Sequence, residues 1–192
     1  MDRKSFDEGF GKKRIVLVDG KIDGDMASRV RSSIVHLNLE SDEDIRIVID
    51  SAGGQIVPML HIFDLVKFSR AKVVGIVNGL CHSSATILLQ ACHVRKASAH
   101  STFLLHFVRT EFDFKAHEPI ADVRRRFNYA LTKNKRLQGE TEEILSKRSG
   151  RSVGQIRKHM IDGEKHDVRL TAEQAKELGF LDEVLMEYDL FS

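Results

Sequence analysis

Apolar residues recur along this chain in two rhythms. One is the unbroken run: RIVLVDG (14–20), IRIVID (45–50), KVVGIVNG (72–79) and TFLLHF (102–107). Short β-branched runs closed by Gly, Asp or His predict strands, and runs without alternation predict strands buried on both faces. The other rhythm is helical. DMASRVRSSIVHLNL (25–39), IVPMLHIFDLVKFS (56–69) and SATILLQAC (84–92) bring apolar residues to one face. Strand and helix alternate, so the fold class is α/β, with a mostly parallel sheet covered by helices.

Beyond residue 119 the rhythm changes. PIADVRRRFNYALTKNKRLQGETEEILSKRS (119–149) predicts one long, highly charged helix. Its apolar positions Ile120, Val123, Phe127, Ala130 and Leu131 form a stripe that needs a partner. A short helix, SVGQIRKHMI, follows. The strand HDVRL, the helix TAEQAKELG and the strand FLDEV close the chain. Thr171 with Gln174 fits a capping box, and Gly179 fits a helix C-terminus.

Composition narrows the class. The chain has 192 residues, 42% of them hydrophobic, enough for one domain with a sizeable core. A formal charge of +2 is too small to argue for nucleic acid or a membrane surface, and Arg124-Arg125-Arg126 reads as the solvated face of a helix. Cys81 and Cys92 form neither a disulfide framework nor a zinc site, so no metal and no cofactor is expected. Their apolar surroundings suit a reducing compartment. The first eleven residues read as loosely held and lack an apolar leader segment, and no run spans a bilayer; a soluble, cytoplasmic protein is expected.

The chemistry centres on IVNGLCHSSATILLQAC (76–92), where a strand turns into a helix at Cys81-His82-Ser83-Ser84. A serine there sits by unpaired amides at a helix start, which favours a developing negative charge. The plain alternative is that Ser83 or Ser84 caps the helix. DSAGG (50–54) ends a strand with a glycine pair whose backbone could face a substrate, or simply turn. His106 ends an apolar strand, where an open α/β sheet presents reactive groups, and Asp167 enters a short one. A serine nucleophile needs a base, and that base an orienting carboxylate. Ser83, His106 and Asp167 in that order can supply all three.

These stretches resemble the Clp protease proteolytic subunit family, a branch of the ClpP/crotonase fold. IRIVIDSAGG is similar to the family strand ending in Ser-Pro-Gly-Gly. VNGLCHSSATILLQAC is similar to the nucleophile segment, and HDVRLTAEQAKELGFLDEV to the C-terminal stretch with the catalytic Asp. The resemblance implies a spiral of repeated β-β-α units, with a head over 14–118 and 150–186 and a projecting strand-helix handle over about 107–149. It implies a serine peptidase with Ser83 as nucleophile, His106 as base and Asp167 as third member. The oxyanion amides would be those of Gly54 and Ser84, so Gly54→Val should harm turnover more than stability. It implies peptide or unfolded-protein substrates and a homo-oligomer, either a heptameric ring or stacked rings.

The departures bear on partners and rate. Ala52 replaces the Pro before the glycine pair. Cys81-His82 replaces a small pair, and Phe107-Val108 replaces Gln-Pro after the base. Arg46 and Val48 stand where the family's docking pocket has aromatics, and the axial N-terminal segment reads as short; both imply weak or no coupling to a Clp-type ATPase. Competing readings are a crotonase-type acyl-CoA enzyme, a catalytically poor ring subunit, and a Ser-Lys peptidase using Lys96. Asp162 is the alternative carboxylate.

Overall fold

A computed structural model describes residues 12–115, 117–163 and 167–186; the N-terminal segment discussed above and His166 lie outside them. In chain order the elements are β1 (Ile15–Ile22), α1 (Gly24–Glu40), β2 (Ile45–Gly54), α2 (Ile56–Lys67), β3 (Val73–His82), α3 (Ser84–Leu89), β4 (Val94–Ser98) and β5 (Thr102–His106). There follow α4 (Ile120–Ser149), α5 (Val153–Asp162), β6 (Asp167–Thr171), α6 (Ala172–Glu177) and β7 (Glu183–Leu185). Strands β1, β2, β3, β4 and β7 lie side by side and parallel. β5 pairs with the far end of β3, Leu80–His82, and carries β6 antiparallel on its other edge.

The apolar rhythms account for this arrangement. Residues of β1, β2 and β3 merge with α1, α2 and α3 into one core that includes Ile22, Ile34, Ile47, Ile62 and Leu88. Burial on both strand faces is not general, however. Along β2, Ile45, Ile47 and Ile49 are buried while Arg46 and Val48 between them are half-buried. The chain's own layers seal one face of that strand more fully than the other.

Local signals stop and start the helices, at Thr171/Gln174 and Gly179 where the sequence predicts. Asp23 caps α1 by accepting from the Met26 amide at 2.9 Å. Capping boxes open α5 at Ser152/Gln155 and α6 at Thr171/Gln174. Gly179, at φ +80°, turns the chain after α6.

α4 is 30 residues long, roughly 45 Å. Only its second half is tied to the core, through Leu137, Thr141, Glu142 and Leu145. The expected stripe on the first half is only partly covered by this chain: Val123 and Ala130 are half-buried, while Ile120 is 85% exposed and Phe127 and Leu131 are also exposed. The segment from 107 to 115 carries no strand and folds back as an aromatic knot. Phe112 meets Phe114 and Phe127 edge-on at 5.3 Å, and the Arg126 guanidinium lies 5.2 Å from the Phe112 ring centre.

β4 is the strand that apolar rhythm did not predict, because Arg95 and Lys96 interrupt it. Arg95 is nonetheless 5% exposed. Its guanidinium donates to Gln90 Oε1 at 2.7 Å, to the Gly179 carbonyl at 2.8 Å and to both oxygens of Asp182. Burial alone would push the Asp182 carboxyl up, but the hydrogen bonds and charge of Arg95, with Arg148 beyond, hold it below its ordinary value. A depressed carboxyl stabilises the fold at neutral pH and loses that contribution as the pH falls through its own titration. Asp182→Asn is therefore expected to destabilise the fold at pH 7 in chemical denaturation by about 1–2 kcal/mol, less than a fully buried pair would, because the 39% exposed carboxylate is screened by solvent. The gap from wild type should close as the medium is acidified below the usual carboxylate range.

Candidate active site

β3 ends at His82 and α3 begins at Ser84, so the whole turn falls on Ser83. Its backbone sits at φ 55°, ψ −124°, a conformation that costs a non-glycine residue about 1–3 kcal/mol. Neighbours impose that geometry. The Ser83 amide donates to the Leu104 carbonyl at 2.7 Å, and the Thr86 hydroxyl reaches the Cys81 carbonyl at 2.5 Å. Neither serine behaves as a cap. Ser83 makes no capping hydrogen bond, and the Ser84 hydroxyl is buried without a partner among the described residues.

The glycine pair of β2 divides its work. A Cβ on Gly53 would lie 2.6 Å from the His82 carbonyl oxygen and 2.8 Å from Ser83 Cβ, so only glycine lets the strand end lie against the serine turn. A Cβ on Gly54 would lie 2.1 Å from the Ile22 carbonyl oxygen. Gly54 is thus wedged against β1 as well as facing the site. The expectation that Gly54→Val harms turnover more than stability is reversed for that steric reason.

A cleft of about 120 Å³ opens at this junction, lined by Gly54, Ser83, Ser84, His106, Leu145 and Met160 among others. His106 and Asp167 stand directly opposite one another across β5 and β6. Their side chains have other partners. His106 Nδ1 lies 2.6 Å from the Phe107 carbonyl oxygen. A carbonyl only accepts, so Nδ1 carries the proton and Nε2 is left with its lone pair. The Asp167 carboxylate pairs with the Arg109 guanidinium. Register therefore brings the pair together, but the hydrogen bonds at hand link each to a residue other than its expected partner.

The residues beside the serine are not rivals to it. Burial pushes the Cys81 thiol far up and the Cys92 thiol up to about 12, so neither offers a thiolate. His82 Nε2 is 2.9 Å from the Thr102 hydroxyl, and its pKa is lowered by burial and by Arg169, against a smaller opposite effect of Asp50. Among the described residues no group of three or more His, Cys, Asp or Glu could hold a metal ion, and no helix is long and apolar enough to cross a membrane.

Residue-level reading missed Arg109, Asn134 and Gln138. The Val108 amide donates to Gln138 Oε1 at 2.6 Å, and Asn134 Nδ2 donates to the Val108 carbonyl at 2.9 Å. These two side chains, one turn apart on α4, clamp the segment that carries Arg109. A proline at position 108 would have no N–H to give Gln138. The replacement of Gln-Pro by Phe107-Val108 was the signal that could have pointed there.

A strand-to-helix serine, a paired-glycine strand end beside it and a histidine in the same cleft make up a candidate hydrolase-type site. The Clp protease family model matches residues 4–188, and the chain belongs to that family. It is 32% identical over 177 residues to the ATP-dependent Clp protease proteolytic subunit 1 of Thermobifida fusca, covering 91% of this chain and 75% of that protein. It is 32% identical over 173 residues to the ATP-dependent Clp protease proteolytic subunit 4 of Rhodococcus jostii, covering 88% and 83%. Among solved structures, a point mutant of ClpP1 from Listeria monocytogenes superposes with a TM-score of 0.82 over 97% of this chain and 99% of that one, at 21% identity. The α/β fold, with its parallel sheet, is that of the family.

Proposed function

We propose that this protein is a serine peptidase that cleaves peptide bonds of peptides or unfolded proteins. Ser83 Oγ attacks the scissile carbonyl while His106 Nε2 takes its proton. The amides of Gly54 and Ser84 hold the oxyanion. His106 then returns the proton to the leaving amine, and an activated water releases the acyl group from Ser83. Asp167 is the third member, available to His106 across the β5–β6 register. The observation that carries this reading is Ser83 itself, held in a strained turn with no capping role, in one cleft with His106. The relatives named as proteolytic subunits support the same chemistry. Fluorophosphonate labelling followed by peptide mapping tests it. The adduct is expected on Ser83; an adduct on Ser84, or none, would overturn the assignment.

The working unit in this reading is a homo-oligomeric ring, alone or stacked. The uncovered apolar residues along the first half of α4 support it, since a second copy is the partner family membership supplies. Light scattering is expected to give a mass several times 21.8 kDa at micromolar concentration; a monomer would sink the claim. Two buried thiols fit cytoplasmic residence.

A further inference from the structure

The Asp167 carboxylate is engaged by Arg109, while His106 uses a neutral carbonyl as its orienting acceptor. A carbonyl fixes the same tautomer a carboxylate would fix, but it brings no full negative charge to the imidazolium that forms when Ser83 attacks. Arg109 is 63% exposed at its side chain, and it lines two adjoining spaces. One is the cleft with Ser83 and His106. The other is a larger groove between α4 and the start of α2, where, among the described residues, Lys21 and Lys133 add two more cations against one carboxylate, Glu111. The clamp from Asn134 and Gln138 on Val108 fixes the backbone next to Arg109. The guanidinium itself is left free to exchange one carboxylate for another.

We propose that Arg109 makes this site selective for peptides bearing a carboxylate side chain near the scissile bond. In the free enzyme Arg109 withholds Asp167 from His106. A glutamate or aspartate of the peptide, drawn into the cationic groove, takes over the guanidinium, and Asp167 then accepts from His106 Nδ1 in place of the Phe107 carbonyl. No covalent change attends the exchange; one ion pair replaces another, and the Nδ1 proton changes acceptor. Arg109 is thus a positioning residue for His106 and a specificity determinant for the substrate. This rests on the serine peptidase reading.

The test compares two peptides differing only in Glu or Gln beside the cleaved bond, with wild type, Arg109→Gln, Asp167→Asn and the double variant. Wild type is expected to prefer the Glu peptide by about tenfold in kcat/KM. Arg109→Gln should bring the ratio close to one by accelerating the Gln peptide, because Asp167 is then free without help from substrate. In the Asp167→Asn background Arg109→Gln should give no acceleration, whereas Arg109→Lys in the native background should keep the preference for Glu. A wild-type ratio of one would overturn the proposal. So would a ratio that collapses only because the Glu peptide slows, since Arg109 would then be a plain charge partner for substrate. Acceleration that persists without Asp167 would overturn it as well. Fluorophosphonate labelling of the wild type separates these failures from a deeper one: an unlabelled Ser83 removes the peptidase itself. Circular dichroism of each variant checks that this exposed position leaves the fold intact.

Discussion

Ser83→Ala is expected to lower peptide turnover by about 10,000-fold or more, with the melting temperature unchanged. Alanine keeps the Cβ and tolerates the imposed backbone no better and no worse than serine. The hydrogen bond from the residue 83 amide to the Leu104 carbonyl is also kept, because it belongs to the main chain. What disappears is the Ser83 hydroxyl, which makes no capping hydrogen bond. His106→Ala should fall nearly as far, since Ser83 would lose the base proposed to take its proton. Ser84→Ala is the control: its hydroxyl is buried with no partner among the described residues, so its removal should leave labelling in place and stability equal or slightly higher. Turnover retained in Ser83→Ala, or lost in Ser84→Ala, would move the nucleophile.

Gly54→Val is expected to cost about 4 kcal/mol or more, enough to leave much of the chain unfolded at 37 °C. The Cβ of any residue there would meet the Ile22 carbonyl oxygen at 2.1 Å, and φ of +156° is a region that L side chains rarely adopt. The obstacle is main chain in β1, not the movable end of a side chain, so relief requires β1 and β2 to part at Ile22 and Gly54. The Gln55 amide, which donates to that same carbonyl at 2.7 Å, would be displaced with it. Urea denaturation followed by circular dichroism reads the loss directly. A variant with native stability and selectively impaired turnover would instead make Gly54 a purely substrate-facing position.

Much of the architecture was legible from apolar rhythm. Runs such as IRIVID and helical spacing such as that of 25–39 reflect local geometry, and local geometry survives in a linear text. β4 was not legible, because its stability comes from Arg95 and Asp182, 87 positions apart in the chain. The serine turn could be read, since strand, serine and helix are contiguous there. The opposition of His106 and Asp167 came through resemblance, and the two residues do stand in register. The Arg109–Asp167 pair could not be read in advance, because Arg109 reaches Asp167 from 58 positions away and depends on how Asn134 and Gln138 hold Val108.

The strain at Ser83 also says something about how such a chain is kept in being. At φ 55° and ψ −124° glycine would be more comfortable than serine, and a lineage screened only for robustness would drift towards it. Each generation that retains a hydroxyl here accepts a slightly less durable molecule than a single substitution would supply. Laboratory evolution for heat tolerance without a proteolytic screen should therefore find position 83 early, and yield a hardier but inert descendant.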